Sequence, residues 1–277
     1  MSEIRTGPWG SVGDAVARPP DPPARRRADQ GENPGQGVVW ALISTALLAG
    51  FLWWLMGWVY ALAGIVGLLV HEYGHVLAMN RLGMGPARIY IIPFLGGAAK
   101  GARPARTEWI GVLVSLAGPA FGLIAAIPFF AAWAATGDTV WLHGAWFVAI
   151  INLLNLAPAP PLDGSRALGP VLARIHPMLE KAALLAVGAL VVAWGLQRGA
   201  YILALFLGLG VYSHLRRGAW RPDAVPLSWR QAGMSLGLFL VTGAACAAVG
   251  LAAMALFTGE GLGAALAASG RFFGFGR

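Results

Sequence analysis

A chain of 277 residues that is 57% hydrophobic and 12% charged is excluded as a soluble domain and reads as a polytopic membrane protein. Its formal charge of +8 is carried mostly by Arg and Lys between apolar runs, a pattern of membrane topology rather than of nucleic-acid binding, and no nucleic-acid partner is expected. A single cysteine, Cys246, excludes an internal disulfide.

Residues 1–36 are rich in Pro and Gly and carry Arg25, Arg26 and Arg27. They read as a disordered basic leader on the cytoplasmic side, without the apolar core and cleavage site of a signal peptide. Residues 37–257 read as one transmembrane domain. Its spans are expected near 38–56, 58–80, 109–134, 141–162, 179–197, 199–215 and 231–257, each near or above the length that crosses a bilayer. Trp53, Trp54, Trp58 and Tyr60 suit an aromatic belt at an interface.

The second span ends in His71-Glu72-Tyr73-Gly74-His75, an H-E-x-x-H motif, with no Asp, Glu, Lys or Arg between Val38 and His71. Ionisable residues inside a span are costly and functional by default. Four residues apart on a helix, His71 and His75 project from one face and offer two adjacent corners of a zinc tetrahedron. Glu72, offset by one residue, can sit beside the metal and hold a water. Arg81 marks the inner boundary. His75 and His71 lie six and ten residues before it, roughly 9–15 Å deep at about 1.5 Å per residue.

The loop that follows contains Ile89-Tyr90-Ile91-Ile92-Pro93-Phe94-Leu95, β-branched and aromatic, then Gly96-Gly97. It is too short to span. A β-hairpin with an open edge for an extended substrate and an interfacial loop with an aromatic anchor both fit. In the third span, Gly118 and Gly122 form a G-x-x-x-G that lets helices approach closely. The fourth span carries Asn152 and Asn155 and ends in Pro158, Pro160, Pro161 and Asp163-Gly164. Broken helix at membrane depth is tolerated where protein or a water cavity buries it, and Asp163 is the best placed third ligand.

These motifs resemble the site-2 protease family of zinc-dependent intramembrane metalloproteases, in a compact form without a PDZ or CBS domain. HEYGH matches the family's H-E-x-x-H helix. Ala117-Gly118-Pro119-Ala120-Phe121-Gly122 matches its G-P-x-x-G motif, and Asn155 to Gly164 its N-x-x-P-x-x-x-x-D-G motif. The match covers a core of roughly 58–170. The resemblance implies an all-α membrane fold of about seven helices, with a zinc site between core helices and a short membrane-associated β-hairpin. It implies one zinc per chain on His71, His75 and Asp163, with Glu72 as catalytic base. Asn155 would hold substrate backbone or orient the Asp163 segment. Gly96, Gly97, Gly118, Pro119, Gly122, Pro158 and Gly164 would support the site. Asn152 stays open between helix packing and a site role. The implied substrate is a membrane-anchored protein, such as a transcriptional regulator or an anti-sigma factor, cut in or near its span.

Beyond the core, residues 258–277 read as a Gly- and Ala-rich tail. His143, His176 and His214 have no partner at ligand spacing, and packing accounts for them. With seven spans and the N-terminus inside, only Arg198, Arg271 and Arg277 of the 20 Lys and Arg fall outside. The chain is therefore expected in a bacterial inner membrane, N-terminus cytoplasmic and C-terminus outside. Two other readings remain, an inactive relative that binds membrane proteins and an ion or metal transporter. Glu72 and the full ligand set argue against the first, and tight binding of one zinc would argue against the second.

Overall fold

The computed structural model describes residues 37–92, 96–199, 201–217 and 224–273. The leader at 1–36, the Pro93–Leu95 part of the proposed hairpin and Arg221 lie outside them. The described chain is mostly helical, with one two-stranded sheet. In chain order the elements are α1 (Val38–Met56), α2 (Trp58–Arg81), β1 (Ala87–Ile92), β2 (Gly96–Gly101) and α3 (Glu108–Gly122). A 3₁₀ turn (Leu123–Ala126) leads into α4 (Ile127–Thr136). Then come α5 (Val140–Asn155), α6 (Asp163–Ile175), α7 (Pro177–Gln197), α8 (Tyr201–Arg217), α9 (Trp229–Thr258) and α10 (Leu262–Phe273).

Five of these are long and apolar enough to cross a membrane: α1, α2, the run Glu108–Thr136, α7 and α9. The spans expected at 141–162 and 199–215 meet shorter apolar helices, Val140–Asn155 and Ala204–Ser213. Helix ends follow local chemistry. Gly57, at φ 105°, separates α1 from α2 in a single residue. Thr107 caps α3 by accepting from the Ile110 amide at 3.2 Å. Ser228 and Gln231 form a reciprocal capping box at the start of α9, and Gly259 closes that helix in the left-handed region at φ 68°.

The fourth span ends seven residues earlier than expected. Pro158 has no N–H for the Leu154 carbonyl, and its ring disfavours helix at the residue before it. The chain turns instead. The Ala157 amide takes the Leu154 carbonyl at 2.9 Å, and the Leu162 amide takes Ala159 at 2.8 Å. These bonds satisfy backbone that a bilayer could not.

The hairpin is antiparallel, running from Ala87 opposite Gly101 to Ile92 opposite Gly96. β1 packs on α1 and α2, and β2 on α2. Two apolar clusters hold the helices together. One gathers Val59, Ala63, Phe129, Trp146, Val148 and Met254 around α5. The other joins Val112, Leu116, Leu156, Ala167 and Cys246. In lipid such packing acts through close van der Waals fit rather than water exclusion. The 258–277 segment, expected as a tail, contains the helix α10. Ala265 is fully buried, and the Trp146 indole N–H donates to Ser269 Oγ at 3.3 Å.

Candidate metal centre

His71 and His75 lie one turn apart on the buried face of α2. Their rings meet edge to face, with centroids 4.8 Å apart. His71 Nδ1 lies 2.9 Å from Asn152 Oδ1 on α5, and His75 Nδ1 lies 2.8 Å from the Val114 carbonyl on α3. A carbonyl oxygen only accepts, so both rings donate from Nδ1 and keep the Nε2 lone pair free. The Asn152 amide is itself oriented, because its Nδ2 donates to the Val148 carbonyl at 2.8 Å.

Asp163 is the first residue of α6. Its Oδ2 lies 3.1 Å from His71 Nε2 and 3.2 Å from His75 Nε2, and the two Nε2 atoms are 3.1 Å apart. Three donors form a nearly equilateral triangle. For metal bonds of about 2.0–2.1 Å the edge of a tetrahedron is roughly 3.3 Å, so the triangle matches one face of such a site. Two neutral imidazoles and one carboxylate are a donor set suited to a divalent transition metal with an open position. Among the described residues, His71, His75 and Asp163 are the cluster able to hold a metal ion.

Glu72 is buried beside this triangle but is not among the converging donors. Its Oε2 has no hydrogen-bond partner among the described residues. A buried carboxylate oxygen without a partner is costly, so the site is built to bring it a polar guest. Gly97 on β2 lies against the same side chain. A Cβ there would stand 2.7 Å from Glu72 Cγ and 3.0 Å from Oε1. Gly96 begins β2 at φ 117°, and a Cβ on it would approach Leu68 at 3.7 Å.

The small residues of α3 make room for this chemistry. A Cβ on Gly118 would strike the His75 ring and come within 2.8 Å of His71 Nε2, while one on Gly122 would strike the Asn152 amide. Pro119, between them, is fully buried. Gly74, inside the motif, lets α2 reach α3, since its Cβ would meet the Ala117 carbonyl at 2.5 Å. Gly164 lets the turn before α6 fold on itself, because a Cβ would strike the Leu156 and Ala157 carbonyls. Pro158 sits half-buried in that turn.

The sequence favoured Asn155 over Asn152, and the structure places them differently. The Asn155 amide donates to Ile151 in its own helix at 3.1 Å, while Asn152 holds His71. The role of Asn152 follows from the packing of α5 on α2, which is not written in either helix alone. His143 and His176 take structural places. His143 stacks edge-on against Phe257, and His176 caps α7 by accepting from the Met178 amide. The side chain of His214 lies outside the described residues.

Residues 59–138 match the family model described as Peptidase family M50. A protein named "Putative zinc metalloprotease Rip3" in two strains of Mycobacterium tuberculosis is 32% identical over 133 residues, covering 45% of this chain and 34% of that protein. One named "Putative zinc metalloprotease sll0528" in Synechocystis is 28% identical over 148 residues, 50% of this chain and 38% of that protein. The chain thus spans little more than a third of the length of the curated relatives it matches. No solved structure gives a significant match.

Proposed function

We propose, from the match of residues 59–138 to the Peptidase family M50 model, that this integral membrane protein is a zinc endopeptidase cutting membrane-anchored proteins in or near their spans. One observation carries the reading: His71, His75 and Asp163 converge to within one tetrahedral face, while Glu72 lies buried beside them with its Oε2 lacking a hydrogen-bond partner among the described residues. Names given to the matched relatives support zinc as the metal. When bound, zinc supplies Lewis acidity, which polarises a carbonyl and acidifies water.

The chain's own residues do the rest. Glu72 takes the proton of the attacking water and returns it to the leaving amide nitrogen. Asn152 and Val114 hold the imidazoles so that Nε2 stays aimed at the metal. The hairpin offers strand edge to an extended substrate. A substrate helix must unwind first, because its own hydrogen bonds occupy the backbone. With seven spans and the N-terminus inside, the site opens towards the cytoplasm of a bacterial inner membrane, and the cut releases a cytoplasmic fragment. Membrane-tethered regulators and anti-sigma factors fit that outcome.

The test is a comparison of membrane proteomes from cells carrying wild type and Glu72→Gln. A membrane-anchored precursor should accumulate in the variant. Identical proteomes, with the wild-type protein present and zinc-loaded, would remove the proteolytic reading.

A further inference from the structure

Asp163 reaches the imidazoles from a turn that is also held from outside the helices carrying the histidines. Gly210 on α8 lies against that turn. A Cβ built there would stand 2.5 Å from Pro161 Cδ, 2.7 Å from the Pro160 carbonyl oxygen and 2.9 Å from Pro161 N. Two of these atoms are backbone, and the third belongs to a ring closed onto the backbone, so none can swing aside. Pro161 is two residues before Asp163. The turn is short and closed on itself by the bonds from Ala159 N to Ala157 O at 2.7 Å and from Leu162 N to Ala159 O at 2.8 Å. A push on the prolines therefore passes to Asp163.

α8 has its own support. It packs on α7, where a Cβ on Gly188 would stand 2.5 Å from Val211 Cγ2, and Ala204 and Leu207 are buried. Its closeness to the turn is specific to one face. Gly208, about 200° around the helix from Gly210, has open space where a Cβ would go.

We infer that α8 is a positioning helix for the third metal ligand, and that Gly210 is the positioning residue. It sets the depth of the Pro160–Pro161 turn at which Asp163 Oδ2 meets both imidazoles. The inference rests on the metal-site reading given above. It adds an element that lies outside the matched stretch 59–138.

The experiment titrates the purified, metal-stripped full chain with Co²⁺ and reads both affinity and the visible d–d spectrum, which reports ligand geometry without any proteolysis. Gly210→Ala should weaken Co²⁺ binding about 10-fold and Gly210→Val about 100-fold, the range seen when the support of a ligand is disturbed, each with an altered band shape. Gly208→Val should bind Co²⁺ like wild type. Pro161→Ala, which removes the ring carbon facing α8, should restore part of the loss in Gly210→Ala. Far-UV circular dichroism checks that helix content is kept. If Gly210→Val loses it, Gly210→Ala with and without Pro161→Ala decides. Wild-type affinity and spectrum in the Gly210 variants would overturn the inference and leave the metal site standing. So would an equal loss in Gly208→Val, or a Gly210→Ala loss that Pro161→Ala leaves unchanged. A wild-type chain that takes up no Co²⁺ would overturn the metal site and the inference together.

Discussion

The two imidazoles are held by different means, and that difference is open to measurement. His75 donates to a backbone carbonyl, Val114, which no side-chain substitution removes. His71 donates to the side chain of Asn152. Asn152→Leu should therefore loosen one ligand selectively and weaken zinc binding about 10- to 100-fold, whereas Asn155→Leu should leave zinc affinity within about twofold of wild type. Competition with a chelating dye measures both, and equal losses would mean that the Asn152 bond is not what orients His71. At the same scale, Asp163→Ala should lose zinc. Glu72→Gln should keep it and slow cleavage by about 10²–10⁴-fold, since a base contributes chemistry and not binding. Metal analysis of the two purified variants separates the roles, and full zinc retention in Asp163→Ala would place the third ligand elsewhere. His71, Glu72 and His75 stood out because helix geometry fixes their spacing, and Asp163 because it is an acid ending an apolar run beside prolines; the structure brings His71, His75 and Asp163 together. Asn152 did not stand out. It and Asn155 lie three residues apart on α5, only about 60° and 4.5 Å from each other, and the sequence does not say which of them meets α2.

Helices α2, α3 and α5 meet where side chains are smallest. Gly118 and Gly122 lie one turn apart, one against the imidazoles and the other against Asn152. The sequence showed the pair as a packing motif; that the packed objects are the two imidazoles and the Asn152 amide appears only when the helices are assembled. Gly118→Ala should drive a methyl into the space between the His71 and His75 rings, cost about 1–3 kcal/mol of stability and strip the metal. Gly111→Ala, on the same helix with open space around it, should instead be neutral or gain up to about 1 kcal/mol from helix propensity. Thermal loss of helix signal together with zinc content reads both variants, and metal retained at full affinity by Gly118→Ala would show that the rings can move aside. The boundary at Gly57 was legible, with spans expected at 38–56 and 58–80 and helices at Val38–Met56 and Trp58–Arg81, whereas the capping box that starts α9 two residues before the expected 231 was not. Elsewhere composition alone says little about packing. The Gly- and Ala-rich C-terminal stretch looked like a tail, yet its small residues let α10 lie close on its neighbours, with Ala265 buried and Ser269 beside Trp146.

On the scale of the whole molecule, the distribution of Lys and Arg predicts that the hairpin loop and α10 lie on opposite sides of the membrane. Single cysteines at Ala102 and Ala267, both exposed, test this in a Cys246→Ala background. A membrane-impermeant maleimide added to intact cells should label Ala267→Cys and spare Ala102→Cys. Labelling of both, or of neither before lysis, would remove one span from the topology.

Helix α5, with 16 residues, gives way to the turn that delivers Asp163, and its physical length is only about 24 Å. The hydrocarbon layer of an ordinary bilayer is about 30 Å thick, and mismatch costs fractions of a kcal/mol per Å. Lipid acyl length thus becomes a control variable for this protein. In liposomes of short-chain phosphatidylcholine the turn should sit nearer the headgroups, and water should reach Glu72 readily. Longer chains should thicken the barrier over the same turn and slow cleavage of a reconstituted substrate, with zinc content unchanged. Rates that stay flat across acyl lengths would mean that the surrounding helices, and not the lipid, set how water enters.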